Sequence, residues 1–390
     1  MKSLIFNLST ILLFSIASLS CSSTTETSDP NSFTVIGNVE GLDTEYMSTS
    51  YTGIDGERVN DSVMVENDKF TYTGKIKEGT FVVFWPNVER TIKRTGRGYY
   101  PAKSSQFAFL ASPGDKIEFT GEVLDFINAY PSGTPANDDL AKINSKIFPM
   151  MNESVNLQLK INGLEEDDEM GKRLFQGAMK ELDSLVLVEK KEFVASNPNS
   201  EAAAWYLSDM MVRSQVSQEE AITLFKGLAN ELNYYTFYDA VAQRVEGIES
   251  TQVGKIMPNF TTNATMDGET FSLNDLRGKY VLIDFWGTWC APCIAEMPTV
   301  KEYHEKYAEN LVVLGVNNGD TFEEIKEFAE PKGYDWMQIK DKNDKEDLVL
   351  KLNVAGFPTK FILSPEGEIL YRFVGNTEAA FDALDELLGE

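Results

Sequence analysis

Residues 281–298 read VLIDFWGTWCAPCIAEMP, and the order of the parts decides the fold. VLIDFW is an apolar run interrupted by one aspartate, the pattern of a buried strand. A glycine-containing turn follows, then Cys290-Ala291-Pro292-Cys293, then a helical pattern. A cysteine at a helix N-terminus faces unpaired backbone N–H groups and the positive end of the helix dipole. Both favour thiolate over thiol. Two residues between the cysteines bring their sulfurs close enough for a disulfide across the first turn. Cys290, nearer the helix end, is expected to be exposed and nucleophilic. Cys293, one turn in, is expected to be buried and to resolve the mixed disulfide.

Rival uses of a Cys-x-x-Cys pair fit poorly. Half a zinc site needs two more ligands, and the chain holds 3 cysteines and 1 histidine, so only His304, the distant Cys21 and carboxylates remain. No metal and no cofactor is expected. Haem attachment needs histidine directly after the second cysteine, where Ile294 stands. A peroxiredoxin carries proline seven residues before its reactive cysteine, where Ile283 stands.

Outward from this segment, NLVVLGVN (310–317), KFILSP (360–365) and EILYRFVG (368–375) read as further strands with helical patterns between and after them. Alternating strands and helices indicate an α/β domain with a mixed sheet. Residues 253–390 resemble thioredoxin-fold thiol–disulfide oxidoreductases of the TlpA/ResA type. The resemblance rests on GKIMPNF (254–260), the strand with Asp284, WGTWCAPC (286–293), the Glu-Met-Pro after it, and GFPTKFIL (356–363).

That resemblance implies roles for further residues. Asp284, six before Cys290, stands where thioredoxins keep a buried carboxylate that accepts the proton of Cys293. ResA-type proteins often lack it, so the chain combines two patterns. Glu296, three after Cys293, stands where ResA-type proteins carry an active-site glutamate. Pro358, after Phe357, is implied to be cis and to pack against the disulfide, leaving Phe357 to pair with an extended substrate chain. The low cost of a cis X–Pro bond permits this. Trp289, beside the first sulfur, offers apolar surface to a partner loop, whereas Trp286 reads as structural. Pro298 is expected to kink the active-site helix, and His304 to be a surface residue. TFEEIKEFAEPKGYDW (321–336) matches the helix this class inserts.

The front of the chain is different. FTVIGNV (33–39), KFTYTGKI (69–76), FVVFW (81–85), QFAFL (106–110) and KIEFTGEV (116–123) read as short strands separated by turn residues. Their spacing argues an all-β sandwich or small barrel. Residues from about 137 to 249 read as helical, with expected helices at 166–196, 200–212 and 217–232, the last opening on Ser217 and Glu220 in capping-box spacing. These regions loosely resemble the uncharacterised front halves of lipoproteins from Bacteroidetes-type bacteria, through SGTPANDDL (132–140) and SNPNSEAAAWYL (196–207).

MKSLIFNLSTILLFSIASLSC (1–21) has one positive residue, an apolar stretch broken by Asn, Ser and Thr, and small residues leading to a cysteine. This is the pattern of a secretory signal peptide rather than a membrane span. It resembles a bacterial lipoprotein signal, in which Cys21 would carry diacylglycerol. Ser18 and Leu19 depart from the usual leucine three before the cysteine. The Ser/Thr-rich SSTTETSDPNS that follows suits a tether. The expected organisation is a signal at 1–20, a tether at 21–32, a β-rich domain at 33–135, a helical region at 136–250 and a thioredoxin-like domain at 251–390.

The net charge is −26. Such a surface repels phosphate backbones, so nucleic-acid binding is not expected. The resemblance implies a lipid-anchored enzyme of the bacterial cell envelope, facing the periplasm. It would reduce disulfides of exported proteins, for example in cytochrome c biogenesis, with electrons from a membrane thiol donor of DsbD/CcdA type. Periplasmic oxidants tend to carry histidine between their cysteines. Ala-Pro supplies no such charge, so the potential is expected nearer the reducing value of about −270 mV than about −120 mV. The alternatives are a scaffold or binding lipoprotein whose thioredoxin domain does no redox work, and a thiol peroxidase.

Overall fold

The computed structural model of the chain describes residues 29–96, 98–342, 347–375 and 378–389. The signal segment, Cys21 and the tether up to residue 28 lie outside the described residues.

The front of the chain forms one large sheet. Its strands are β1 (Ser32–Glu40), β2 (Tyr46–Thr52), β3 (Arg58–Glu66), β4 (Lys69–Lys75) and β5 (Thr80–Trp85), with β8 (Phe107–Ala111), β9 (Lys116–Val123) and β10 (Ile127–Ser132). A side hairpin of β6 (Lys93–Thr95) and β7 (Gly98–Tyr100) interrupts the series. The spatial order is β10-β9-β1-β4-β3-β2-β5-β8, antiparallel except for the β1–β9 pair.

Of the expected sandwich or small barrel, the barrel-like alternative is the nearer, since the strands form one sheet rather than two. A single sheet curls until strands near its two ends share a core: Phe107 and Phe109 of β8 lie 5.2 and 5.8 Å from Phe119 of β9. Strand twist accumulated over eight strands accounts for the curl. The five strand stretches read from sequence all occur, but β2, β3 and β10 were missed. β3 is exposed over most of its length, and β2 turns Thr49 inward, where its hydroxyl donates to Val83. Neither shows a clean apolar alternation.

End strand β8 is buried throughout. Phe107, Phe109 and Ala111 face the sheet's own core, while Ala108 and Leu110 face the helices. Its edge is covered by α1 (Pro135–Asn162), whose Asn137 amide bonds both the N–H and the C=O of Leu110, at 3.0 and 2.7 Å. An uncovered edge of this kind would invite pairing with another chain.

Helix α1 packs against α2 (Glu169–Ser196), followed by α3 (Glu201–Val212), α4 (Gln218–Gly227) and α5 (Thr236–Ser250). The helix expected over 217–232 stops at Gly227, and Asn230–Tyr234 is a separate 3-10 turn. The Ser217–Glu220 capping box is present as read.

After a small hairpin of β11 (Thr261–Thr262) and β12 (Phe271–Ser272) comes a second sheet. It comprises β13 (Tyr280–Trp286), β14 (Leu311–Asn317), β15 (Met337–Lys340), β16 (Thr359–Leu363) and β17 (Ile369–Val374), in the order β15-β14-β13-β16-β17. β13, β14 and β15 are parallel, and β16 and β17 pair antiparallel. This is the expected mixed sheet. Apolar clusters cover both faces, which explains why central β13 is buried almost end to end. Around it lie α6 (Ala291–Lys306), α7 (Phe322–Ala329), α8 (Leu348–Lys351) and α9 (Glu378–Leu388). Helix α7 occupies the first half of the expected 321–336 insertion, which then turns at Gly333 in the left-handed region.

Candidate active site

Strand β13 delivers Trp286 to the edge of the domain, and the chain turns through Gly287-Thr288-Trp289 into α6. The turn is fixed from a distance. Asp320, just beyond β14, accepts from the Thr288 N–H at 2.7 Å and from its hydroxyl at 2.6 Å. Asn317 in turn donates to Asp320 at 2.7 Å. Neither Asp320 nor Asn317 was read as a site residue, and no local spacing links them to the cysteines.

Cys290 occupies the N-cap of α6, with the Cys293 N–H pointing at its sulfur at 3.3 Å. The two cysteines form a disulfide. Cys293 is buried as expected, with 2% of its surface exposed, but Cys290 is equally enclosed at 4%. The expected exposure of Cys290 is therefore corrected for the disulfide form. Its sulfur belongs to an apolar cluster with Trp286 and Met297, against which half-buried Phe357 packs.

Trp289 is the exposed feature instead, at 57%. Its indole N–H donates to the Asn318 carbonyl at 2.8 Å, and its ring meets Phe357 edge-on at 5.1 Å. The Phe357–Pro358 bond is cis, and Pro358 is buried at the start of β16. Trp286 is buried, with its N–H bonded to Gln338 at 2.9 Å. Pro298 lies inside α6, which continues to Lys306. His304 is not a free surface residue: it is half-buried edge-on to Trp336, with Nε2 3.4 Å from Asp335.

Between β13, β16 and α6 lies a charged group that the sequence reading missed. The antiparallel register of β13 and β16 sets Lys360 directly opposite Asp284. The Lys360 ammonium is 2.9 Å from Asp284 and 2.8 Å from Glu296, so one lysine joins both carboxylates named from sequence. Burial pushes the Asp284 carboxyl above its usual range, with Lys360 pulling against that shift. Burial acts to lower Lys360, but the two carboxylates outweigh it and hold the ammonium charged. The available signal was a lysine inside an otherwise apolar strand, since a buried lysine needs a partner.

The comparisons with known proteins follow this division of the chain. Residues 253–372 match the AhpC/TSA family, and residues 33–140 match a domain of unknown function, DUF4369. Thiol-disulfide oxidoreductase ResA of Bacillus thuringiensis (strain Al Hakam) is 34% identical over 128 residues, covering 33% of this chain and 72% of that protein. Thioredoxin-like protein YneN of Bacillus subtilis is 35% identical over 144 residues, covering 36% of this chain and 81% of that protein. Among solved structures, the thioredoxin domain of a thiol-disulfide oxidoreductase from Bacteroides vulgatus is 26% identical, covering 35% of this chain and 98% of that one, with a TM-score of 0.31. By its C-terminal third, which carries the Cys290–Cys293 pair at the head of α6, the chain belongs to the ResA family and is a thiol–disulfide oxidoreductase.

Proposed function

We propose that the protein reduces disulfides of exported proteins at the bacterial cell envelope, held there by lipid on Cys21, with cytochrome c biogenesis as one setting. The observation that carries this reading is a cysteine pair at a helix N-terminus, bordered by an exposed tryptophan and the loop of Phe357. Among the described residues no helix is long and apolar enough to cross a membrane.

In this reading the reduced Cys290 thiolate attacks one sulfur of the client disulfide. The other client sulfur leaves as thiolate and takes a proton from solvent. Cys293 gives its proton to Asp284 and attacks the Cys290 sulfur of the mixed disulfide. The second client sulfur leaves as thiolate and takes a proton from solvent, so the client departs as a dithiol and Cys290–Cys293 closes. A membrane thiol donor of DsbD/CcdA type then returns two electrons. Trp289 and Phe357 supply the apolar contact for the client loop. Ala291 and Pro292 place no cation between the sulfurs to stabilise the thiolate, which keeps the potential low.

The test is the midpoint of the Cys290–Cys293 couple in graded dithiothreitol buffers, read by maleimide gel shift on the form lacking residues 1–21. A midpoint near or below about −250 mV supports a reductant, and one above about −150 mV reverses the direction of electron flow. Absence of any two-electron transition would favour the scaffold. Cys293→Ser, which keeps the attacking sulfur and removes the resolving one, is expected to trap client proteins as mixed disulfides.

A further inference from the structure

Lys360 is unusually placed for a lysine. None of its side chain is exposed, and it lies in a strand that is otherwise apolar apart from Thr359. Its ammonium contacts Asp284, which is also sealed from solvent, and Glu296, whose side chain is 17% exposed. Glu296 lines a cleft of about 660 Å³ between α6 and α9, with Ala295, Thr299, Glu378, Phe381 and Asp382. The contacts thus run from the protein interior to an open acidic cleft in two steps.

A sealed base poses a chemical problem. On the reading above, Asp284 takes a proton from Cys293 in every cycle and has no exposed face from which to pass it to solvent. We propose that Lys360 relays this proton from Asp284 to Glu296, which releases it into the cleft. The proposal rests on the role given to Asp284 under the proposed function.

The transfer balances within the three groups. The Lys360 ammonium gives one proton to the Glu296 carboxylate as the Asp284 carboxyl gives one to the Lys360 nitrogen. Asp284 is restored as carboxylate and Lys360 as ammonium. Glu296 then loses the proton to water. No electrons move along this path, because the electron pair passes between sulfurs. Reduction of the disulfide runs the same path inward. The two carboxylates hold Lys360 in its ammonium form at rest, so the two transfers are concerted. The other charged groups near the outer end, Glu378 and Asp382 of α9, face the cleft and favour a cationic proton carrier there.

A fixed positive charge at this position would steady Asp284 without giving its proton an exit, and arginine makes the distinction. It keeps the charge and two-carboxylate pairing but does not release a proton in proteins. The experiment is single-turnover oxidation of the reduced protein by insulin, following closure of Cys290–Cys293. Lys360→Arg is expected to slow closure about 100-fold, the low end of what a positioned proton-transfer group contributes, with the midpoint potential unchanged. Glu296→Ala is expected to be slowed likewise, and to be restored by formate, a small carboxylate that fits the cleft.

Closure at the native rate in Lys360→Arg would overturn the relay, because charge alone would then suffice. A slow Glu296→Ala that formate leaves slow would overturn the exit through Glu296. Asp284→Asn separates the two readings. If it closes at the native rate, the role of Asp284 itself fails. If it is slow while Lys360→Arg is fast, only the relay fails.

Discussion

Trp289 holds its exposed ring flat by two constraints. Its N–H is tied to Asn318, and the indole lies so close over Gly287 that a Cβ there would meet Nε1 at 2.4 Å. A rigid aromatic surface beside the disulfide costs little entropy to present to a partner. Trp289→Ala is expected to weaken kcat/KM for a protein disulfide about 10-fold, roughly 1.4 kcal/mol, while reduction of the disulfide by dithiothreitol is unchanged. Equal losses for both reactions would show that the ring shapes the site rather than the client contact. Asp284 makes a prediction of a different kind. Because burial raises its carboxyl in the folded protein, the native state holds that proton more tightly than the unfolded chain, whose aspartates titrate near about 3.9. The stability this proton linkage adds is complete below the unfolded value and is lost as pH rises through the folded one. Asp284→Asn removes the loss and leaves Lys360 paired with Glu296. Its stability relative to the native protein should therefore climb as pH rises above about 4, the unfolded value, in urea unfolding. A difference independent of pH would contradict the raised carboxyl. The resemblance pointed to Asp284 and Glu296, and the structure brings both to one lysine. Lys360 was not legible in the sequence, because what makes it matter is a strand register that no spacing along the chain encodes.

The turn from β13 into α6 shows the same limit at the scale of elements. The strand, the turn and the helix could be read from 281–298, and Cys290 does cap the helix. What fixes the turn comes from Asp320, beyond another strand, through three hydrogen bonds to Thr288 and Asn317. Removing that carboxylate leaves the buried Asn317 amide, the half-buried Thr288 hydroxyl and the Thr288 N–H without their acceptor. Asp320→Ala should lower stability by about 2–3 kcal/mol and slow insulin reduction, since Cys290 follows Thr288 by two residues. Thermal unfolding and turnover measured on the same variant check it, and retention of both would mean that the turn is held by its own backbone bonds. The helical region repeats the lesson. The helix starting after Ser217 was found because its cap is local in sequence, whereas its end was set too late because the apolar pattern of 228–232 continues in a different turn.

For the whole molecule, the order of β-rich front, helical middle and thioredoxin-like end was legible from the changing apolar pattern along the chain, but the way the parts close was not. Alternation identifies strands and is silent on whether they form two sheets or one curled sheet, which long-range twist decides. The same holds for the junction between the helical region and the redox domain. There α5 approaches α8 so closely that a Cβ on Gly247 would meet the carbonyl oxygens of Lys351 and Leu350 at 2.7 and 2.8 Å. Backbone oxygens cannot move aside as a flexible side chain can. Gly247 is helical and not at positive φ, so it is required for this contact and not for its own conformation. Arg244, one turn earlier, is half-buried within electrostatic reach of Asp347, which caps α8. The chain from α8 runs through Asn353 and Val354 to Phe357 and Pro358, so the contact braces the loop that borders the disulfide. Gly247→Val is expected to force α5 off α8. In calorimetry the redox domain should then unfold apart from the front of the chain, and proteolysis should cut near residue 250. Gly247→Ala should show a smaller effect of about 1–3 kcal/mol, the usual cost of overpacking. Insulin reduction should persist in both if the C-terminal third folds independently, and fall with the brace if the loop depends on it. Native-like unfolding of Gly247→Val would show that the two parts are coupled through other contacts.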